Sequence, residues 1–476
     1  MYDVAVIGAG VVGGMIAREL AKFDLKICLL EKENDVACGA SKANSGIVHG
    51  GYDPKPGTLK AKLNAIGAEK LFHAAKQLNV PFRRNGSLVC AFGEAEDKTV
   101  AELYRRGLEN GISDLKVLSG EEARRIEPNL SEKITSALLV PNAGIVCPYE
   151  LTIAAVGNAM DNGAELKTNF CVAKIEKANG TFTVTGKDHR TVETRYILNC
   201  AGANADKIAS LAGDGFFQII PRAGEYLLLD KAEGKRVSHT VFQVPGKEGK
   251  GILVSPTVDG NLLTGPTAQA VFSADDTETT PQGLDTVKTF AQKSVPNIDF
   301  RQVITGFCGI RASEENGDFI IKESEKIKGF VHVAAIDSPG LTCCVAIAEY
   351  TVEILKNIGI NLIEKPDFNG SREDPHFFRT LTAEEKDDFI RSHPAYGRIV
   401  CRCEGVSEGE IRSAIRRNPP AHDVDGVKRR TRSGMGRCQG GFCLPYVMEL
   451  LAEEEHIPFE SVTKKGGASQ NVGGKI

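Results

Sequence analysis

YDVAVIGAGVVGGMIARELAKFDLKICLLE, residues Tyr2 to Glu31, has the pattern of a strand, a glycine turn, a helix and a second strand. Residues 4–7 form a short apolar run, as expected of a parallel strand covered on both faces. Leu25 to Leu30 form a second such run. This order of elements predicts an α/β domain of the Rossmann-like type, in which the loop after the first strand binds a dinucleotide.

The loop itself carries the spacing Gly8-x-Gly10-x-x-Gly13. In a dinucleotide-binding turn the first glycine permits the bend, the second admits a pyrophosphate, and the third lets the helix pack close to the strand. The positive end of the helix then stabilises the phosphates. Glu31, at the tip of the second strand, is placed to accept hydrogen bonds from a ribose. We therefore predict one dinucleotide per chain, because no second motif of this kind follows.

Composition excludes several classes of protein. The chain has 476 residues, with 58 basic and 62 acidic side chains and a net charge of −4. This balance gives no support to a nucleic-acid or membrane-surface protein. The first strand leaves no room for a leader, and no apolar run approaches the ~18 residues of a membrane span. We expect a cytoplasmic protein that touches a membrane only through partners, with its 13 cysteines reduced.

A second loop, ACGASKANSGIVHGGYD from Ala37 to Asp53, is rich in small and hydroxyl residues. Such residues hydrogen-bond a phosphate or a ribityl chain and let backbone lie against a flat ring, although a plain surface loop is the alternative. A later segment, Asn199 to Asp206, again passes from a strand through small residues into a helix, and Gly340 begins another helix. The predicted cofactor contacts are Gly8, Gly10, Gly13, Glu31, Lys32, Ser41, Asn44, Ser45, Gly46, Ala201, Gly202, Gly309, Gly340, Leu341 and Thr342.

Patterns typical of a nucleotide-binding domain recur at separate places along the chain, which predicts that this domain is discontinuous. Between them lie alternating apolar and polar segments typical of antiparallel strands. We expect the nucleotide-binding domain at 1–78, 142–214 and 301–365, an α+β substrate domain of mostly antiparallel sheet at 79–141 and 215–300, a linker at 366–395, a small cysteine-containing domain at 396–455, and a glycine-rich, mobile tail at 456–476.

Four cysteines of the small domain are spaced as a metal site: Cys401, Cys403, Cys438 and Cys443. The spacing is compatible with a zinc site, with an iron–sulfur cluster or with coincidence. The one-residue gap of Cys401-x-Cys403 is unusual for zinc. A cluster with four thiolates is anionic, and nearby cations would offset its charge. These cations are Arg402, Lys428, Arg429, Arg430, Arg432 and Arg437. A nucleic-acid site is the competing interpretation of this patch, but it lacks interleaved aromatic residues.

Two side chains are candidates for the substrate chemistry. Arg311 is suited to gripping a phosphate or carboxylate through two hydrogen bonds, with a structural salt bridge as the alternative. His49 is the candidate base for an alcohol proton, since its ordinary pKa lies near neutrality, with packing or cofactor contact as the alternative. Glu225 and Tyr226 are further candidates to line the pocket.

The motifs VIGAGVVG, GASKANSGIVHGG, NCAGANAD, PRAGEYLLL, GFCGIR and SPGLT together resemble the FAD-dependent family that includes D-amino acid oxidase, glycerol-3-phosphate dehydrogenases and L-2-hydroxyglutarate oxidases. Residues 396–455 resemble the bacterioferritin-associated-ferredoxin-type [2Fe–2S] domain. The joint arrangement is similar to that of the A subunit of anaerobic glycerol-3-phosphate dehydrogenase. The resemblance implies FAD in the glycine turn and a [2Fe–2S] cluster on the four cysteines.

The resemblance also implies an activity: oxidation of sn-glycerol 3-phosphate to dihydroxyacetone phosphate by hydride transfer to flavin, with electrons passing through the cluster to a partner flavoprotein or iron–sulfur subunit. A 2-hydroxy acid such as L-2-hydroxyglutarate is the alternative substrate, and an electron-transfer subunit with an inactive pocket is a third hypothesis. Two departures bear on the substrate: Ala312 stands where the family has Gly-x-Arg-Pro, and Tyr52 where many aerobic glycerol-phosphate enzymes carry arginine. Lys60 or Lys62 is the candidate replacement for that cation.

Overall fold

A computed structural model describes residues 1–246 and 251–473. The strands are β1 (Tyr2–Ile7), β2 (Ile27–Leu30), β3 (Ile47–Val48), β4 (Phe82–Arg83), β5 (Ser87–Ala91), β6 (Lys116–Ser119), β7 (Ser136–Val140), β8 (Gly144–Val146), β9 (Glu165–Lys167), β10 (Val172–Ala178), β11 (Thr181–Gly186), β12 (Thr191–Asn199), β13 (Ile220–Leu229), β14 (Thr240–Gln243), β15 (Leu253–Pro256), β16 (Leu262–Gly265), β17 (Gln269–Ala270), β18 (Val303–Ser313), β19 (Ile320–Glu323), β20 (Phe330–Ala334), β21 (Ile399–Cys401) and β22 (Val406–Ser407).

The helices are α1 (Val11–Leu20), α2 (Leu59–Gln77), α3 (Glu94–Glu109), α4 (Gly120–Ile126), α5 (Pro148–Asp161), α6 (Ala205–Ala212), α7 (Pro281–Ser294), α8 (Gly340–Asn357), α9 (Phe377–Thr380), α10 (Ala383–Ser392), α11 (Glu408–Arg416), α12 (Val424–Thr431) and α13 (Leu444–Glu455).

The first sheet is the nucleotide-binding layer. Its central strand β1 pairs in parallel with β2 on one side and β12 on the other, and β20 continues in parallel beside β12. Val4 and Val6 pack towards α1, α5 and α8, whereas Ala5 and Ile7 face the opposite layer with α6 and β11. Both faces of β1 are therefore buried, as its apolar run predicts. The carboxyl ends of these parallel strands meet at one edge.

The second sheet runs in the order β17-β13-β16-β15-β14-β5-β7-β6, with β18 paired to β13. Its pairings are antiparallel except that of β14 with β5. The domain membership of residues 303–313 differs from the sequence-based prediction, which placed them in the nucleotide-binding domain. In the structure β18 is antiparallel to β13 along nearly its whole length. The long-range pairing, which local sequence does not specify, decides this membership.

The small domain at the carboxyl end, hereafter the C-terminal domain, contains β21, β22 and helices α11 to α13 around its own apolar core. The tail after α13 is more ordered than the glycine content suggested. Thr463 pairs with Gln470, and Lys464 forms a 2.9 Å ion pair with Asp425 on α12. Residues 463–470, hereafter the tail hairpin, thus pack against the domain. Residues 474–476 of the predicted tail lie outside the described residues. None of the helices in the described part of the chain is long and apolar enough to cross a membrane.

Candidate functional site

A cavity of about 2110 Å³ lies at the carboxyl edge of the first sheet and is hereafter the cofactor cavity. The nucleotide-binding domain, the second sheet and the C-terminal domain all line it, and the nucleotide-binding domain does so with the glycine turn and the 37–53 loop among other segments. A ligand site at this edge is the usual position in open α/β sheets. The volume is sufficient for a large cofactor together with a small substrate.

Close backbone contacts explain the glycine turn. Gly8 has φ +106°, and a Cβ there would lie 2.5 Å from the Cys200 carbonyl oxygen. A Cβ on Gly13 would lie 2.0 Å from the Gly8 oxygen, so this residue lets α1 pack on the turn but does not itself line the cavity. At the start of α1, the Val11 N–H donates to Ser41 Oγ at 2.8 Å. The 37–53 loop is thereby fixed against the helix end that stabilises phosphate.

Glu31 lines the cavity and is only 8% exposed. Its carboxylate accepts hydrogen bonds from the Ala9 N–H at 2.8 Å and the Glu33 N–H at 3.0 Å. Burial raises the pKa of Glu31, while these two donors favour its charged form. The side chain is therefore held in one orientation beside the turn, as a ribose acceptor requires.

The 37–53 loop is shaped by its own side chains. Asn44 donates to the Ala40 and Ser41 carbonyls and accepts from the Gly46 N–H at 2.8 Å. Strand β18 meets the same loop, since a Cβ on Gly309 would lie 1.8 Å from the Ala43 oxygen. The predicted cofactor residues that line the cavity are Gly8, Gly10, Glu31, Lys32, Ser41, Asn44, Ser45, Gly46, Ala201, Gly202, Gly309, Gly340 and Leu341.

Thr342 is not among the lining residues, but it positions His49. Its Oγ1 accepts the His49 N–H at 2.9 Å, and the His49 carbonyl accepts from Asn64 at 3.0 Å. The His49 ring lies in the cavity wall, stacked at 5.9 Å on Phe242. Its Nε2 is 3.3 Å from the hydroxyl of Ser338, the residue at the end of the loop before α8. Sequence reasoning found His49 but not Ser338 as its neighbour.

Arg311 lines the cavity from β18. Its two terminal nitrogens donate to the Thr267 carbonyl at 3.2 and 3.3 Å. Within the described residues, no carboxylate lies within salt-bridge distance of this guanidinium, so the alternative of a structural salt bridge is not observed. Tyr226, buried and stacked at 4.8 Å on Phe307, lies beside Arg311. Tyr226 and Phe307 therefore line the cavity next to this cation.

Glu225 does not line the cavity, contrary to one sequence-based suggestion. It accepts from the N–H and hydroxyl of Thr280 at 2.8 and 3.0 Å, at the start of α7. Successive residues of a strand point to opposite faces, so the neighbour of Tyr226 is directed away. Arg222, by contrast, was not a candidate from the sequence but does line the cavity. It lies directly across from Arg311 in the β13–β18 register. Alternate residues of a strand point to the same face, so the even spacing from Arg222 to Tyr226 could have identified Arg222 from the sequence.

The two candidate lysines, Lys60 and Lys62, have different positions relative to the cavity. Lys60 forms a 2.5 Å ion pair with Asp337, which lines the cavity beside Ser338. Lys62 instead lies over the Tyr350 ring, 5.5 Å from its centre and away from the cavity. Lys60 is therefore neutralised at the cavity edge, and Lys62 has no position in the site.

The four cysteines of the C-terminal domain form two pairs. The sulfurs of Cys403 and Cys438 are 3.5 Å apart, and Cys443 hydrogen-bonds Cys401. That hydrogen bond lowers the pKa of the Cys401 thiol and raises the pKa of the Cys443 thiol. In the described ranges, three or more candidate ligands do not converge on one metal position. Two separate thiol pairs fit a [2Fe–2S] cluster, in which four cysteines serve two irons, better than one zinc ion.

Three arginines near the cysteines have partners other than the cluster. Arg429 and Arg430 both bind Asp35 of the nucleotide-binding domain, at 2.5 and 2.8 Å. Arg432 binds Glu404 at 2.9 Å and Asp259 of the second sheet at 2.5 Å. The guanidiniums of Arg429 and Arg430 therefore join the C-terminal domain to the nucleotide-binding domain, and the offsetting of cluster charge by these cations stays a prediction.

The C-terminal domain also contributes Met435 and Gln439 to the cofactor cavity. Gln439 follows the cluster ligand candidate Cys438 in sequence, and Tyr149 of the nucleotide-binding domain donates to the Met435 sulfur at 3.5 Å. The cysteine-bearing loop is thus part of the wall of the site that holds His49 and Arg311.

Several known proteins are similar to this chain. A glycerol 3-phosphate dehydrogenase of Caloramator mitchellensis is 47% identical over 465 residues, covering 98% of this chain and 96% of that protein. An L-2-hydroxyglutarate dehydrogenase of Nematostella vectensis is 26% identical, covering 74% of this chain and 90% of that protein. The solved structure of dithionite-reduced L-alpha-glycerophosphate oxidase from Mycoplasma pneumoniae, with FAD bound, superposes with a TM-score of 0.74 at 32% identity, covering 78% of this chain and 98% of that one.

Two family models match consecutive parts of the chain. The FAD dependent oxidoreductase model matches residues 3–354, and the BFD-like [2Fe–2S] binding domain model matches residues 399–453. The predicted cofactors, FAD and a [2Fe–2S] cluster, and the prediction of a flavin-dependent enzyme are confirmed. The chain belongs to the FAD dependent oxidoreductase family and carries a BFD-like [2Fe–2S] binding domain at its carboxyl end.

Proposed function

We propose that this enzyme oxidises sn-glycerol 3-phosphate to dihydroxyacetone phosphate and passes the electrons through its cluster to a partner subunit. One observation carries the proposal: a single cavity is lined by His49, by Arg311 and by Gln439, next to Cys438. A proton acceptor, an anion-binding cation and an electron exit therefore adjoin one space. The similarity to glycerol 3-phosphate dehydrogenase along nearly the whole chain supports this choice of substrate.

The phosphate end of the substrate requires positive charge. Arg311 and Arg222 lie opposite each other on β18 and β13, and both line the cavity. Arg311 keeps donor capacity beyond its bonds to the Thr267 carbonyl, because a guanidinium has five N–H groups. Two guanidiniums match a phosphate dianion in charge and in hydrogen-bond geometry. We assign the phosphate to this pair.

The reacting carbon is assigned to the region of His49 and Ser338. Oxidation of the secondary alcohol removes a hydride from C2 and a proton from the attached oxygen. Bound FAD supplies the two-electron acceptor, and an iron–sulfur cluster carries single electrons. His49 accepts the hydroxyl proton, while its fixed backbone and stacked ring limit its orientation. The Ser338 hydroxyl, 3.3 Å from His49 Nε2, holds the ring in position through that nitrogen until substrate displaces it.

An anaerobic substrate titration tests the proposal. The purified enzyme is mixed with sn-glycerol 3-phosphate or with L-2-hydroxyglutarate, and flavin absorbance and cluster EPR are followed together. The proposal expects bleaching by the phosphate ester and appearance of a reduced-cluster signal. Bleaching by the hydroxy acid alone would select the alternative substrate. Bleaching by neither compound, with fast reduction by a partner flavoprotein, would select an electron-transfer subunit.

Variants separate binding from chemistry. Arg311→Ala and Arg222→Ala should each raise the substrate concentration for half-maximal bleaching, by about tenfold or more, because each removes charged hydrogen bonds to the phosphate. His49→Gln should slow bleaching with little effect on that concentration. Lys62→Ala is the matched control, since Lys62 lies outside the cavity. Unchanged substrate affinity in Arg311→Ala would remove Arg311 from the site.

A further inference from the structure

The cysteine-bearing loop is not the only part of the C-terminal domain that lines the cofactor cavity in the described residues. Other parts of the domain line the cavity near its dinucleotide end. Lys428 on α12 lines the cavity, and so do Lys465 and Gly466 at the tip of the tail hairpin. Gly466 packs on Asn34, because a Cβ at Gly466 would lie 2.4 Å from the Asn34 side chain. Asn34 follows Glu31, the acceptor placed for the ribose, by three residues. The tail hairpin therefore faces the adenosine side of the cavity.

Helix α12 binds the segment that packs on the glycine turn. Arg429 binds Asp35, and two residues further on the Ala37 N–H donates to the Ala9 carbonyl within the turn at 3.1 Å. Lys428 precedes Arg429 on the same helix. These contacts hold α12 against the segment that packs on the turn receiving the pyrophosphate, and Lys428 lines the same cavity as Gly8 and Gly10 of that turn.

Lys428 carries a charge that the surrounding residues do not neutralise. Within residues 1–246 and 251–473 it forms no ion pair or hydrogen bond. The nearest carboxylate on its helix, Asp425, is already bound to Lys464 at 2.9 Å. Burial lowers the pKa of Lys428; Asp425 opposes this shift, and the neighbouring cations Lys464, Arg429 and Arg432 add to it. A partly buried ammonium among other cations is costly unless an anion approaches it.

We propose that the C-terminal domain is part of the FAD site, and that Lys428 and Lys465 provide positive charge to the FAD diphosphate. Lys428 lines the cavity from α12, and Lys465 lines it from the exposed tail hairpin. The helix N-terminus of α1 supplies hydrogen-bond donors but only a partial positive charge. The diphosphate carries two negative charges, and the two lysines add to the positive charge of Lys32 and Lys42, which line the cavity from the nucleotide-binding domain.

The proposal makes FAD affinity depend on residues of the cluster domain. The test uses full-length protein from which FAD has been removed and whose visible absorption shows an intact cluster. FAD is titrated back, and binding is followed by the quenching of flavin fluorescence. We expect Lys428→Gln and Lys465→Gln each to weaken FAD binding about tenfold, which corresponds to ~1.4 kcal/mol. Lys428→Arg, which keeps the charge, should bind FAD nearly as the unaltered protein does.

Two controls separate charge from general disruption. Lys98→Gln removes an exposed lysine on α3, outside the cavity, and should leave FAD affinity unchanged. Competition with ADP and with adenosine compares ligands that differ by the diphosphate. The glutamine variants should weaken ADP binding but not adenosine binding, and FAD affinity should become less sensitive to ionic strength.

Unchanged FAD affinity in both glutamine variants would overturn the proposal, and so would an equal loss of ADP and adenosine binding. If Lys428→Gln loses its cluster absorption, Lys465→Gln decides the matter, since Lys465 is exposed on the tail hairpin and packs in no core.

Discussion

Asp35→Asn tests how the C-terminal domain is held on the nucleotide-binding domain. The Asp35 carboxylate receives two hydrogen bonds at 2.8 Å from Arg430 and one at 2.5 Å from Arg429. The side chains of Asp35, Arg429 and Arg430 are 5%, 7% and 0% exposed. The substitution keeps the shape of the side chain but removes its negative charge. Two buried guanidiniums then remain without a counter-charge.

Removing one partner of a buried ion pair costs about 3–5 kcal/mol. A loss of about 4 kcal/mol corresponds to roughly a thousandfold shift in an equilibrium constant. Arg430 keeps its bonds to the Pro419 and Gly426 carbonyls at 3.0 Å, so the C-terminal domain should stay folded. We therefore expect Asp35→Asn to weaken docking of the domain more than its internal stability.

The assay is denaturant unfolding with two probes, flavin fluorescence for the first domain and visible absorption for the cluster. The variant should lose about 3–5 kcal/mol of docking free energy, seen as separation of the two transitions. Burial alone would raise the pKa of Asp35, but Arg430 and Arg429 hold it well below its usual range. This stabilisation is present above the unfolded pKa of about 3.9 and is lost only as the pH falls through the lower folded value. The loss of docking free energy in Asp35→Asn should thus be constant near neutral pH.

Asp188→Asn is the matched control, because Asp188 pairs with Arg190 at the surface, where such pairs contribute little. A change of less than about 1 kcal/mol in Asp35→Asn, the typical limit of a surface pair, would refute the reasoning. Coincident transitions in the variant would refute it as well.

Three further predictions concern the site and the core. Gly309→Ala should weaken FAD binding by at least about tenfold in a fluorescence titration, because its Cβ would lie 1.8 Å from the Ala43 oxygen; unchanged affinity would show that the loop adapts. Glu31→Gln should weaken FAD binding by about 1.5–3 kcal/mol through loss of a charged hydrogen bond to ribose, measured the same way. Burial lowers the pKa of His332 beside Asp214, so stability is present above the unfolded pKa of about 6.5 and falls as the pH drops towards the folded pKa. Urea unfolding of His332→Asn should be less dependent on pH across this range, and an equal dependence would contradict the assignment.

The sequence by itself determined the features that rest on contacts between near neighbours in the chain. The turn from Gly8 to Gly13 is local, and so are the capping boxes of Ser119, Thr382 and Ser407, each closed by a glutamate three residues later. Such elements are specified by backbone conformation and by hydrogen bonds within one helical turn.

The tertiary structure alone decided the placement of residues distant in sequence. The pairing of β18 with β13 brought Arg222 opposite Arg311 and turned Glu225 away from the cavity. The bond between Asp35 and Arg430 joins residues 395 positions apart and gave the basic cluster a structural role. The physical reason is that a long-range ion pair or strand register depends on how whole layers pack, and no pattern within a short segment records which distant surface will cover it.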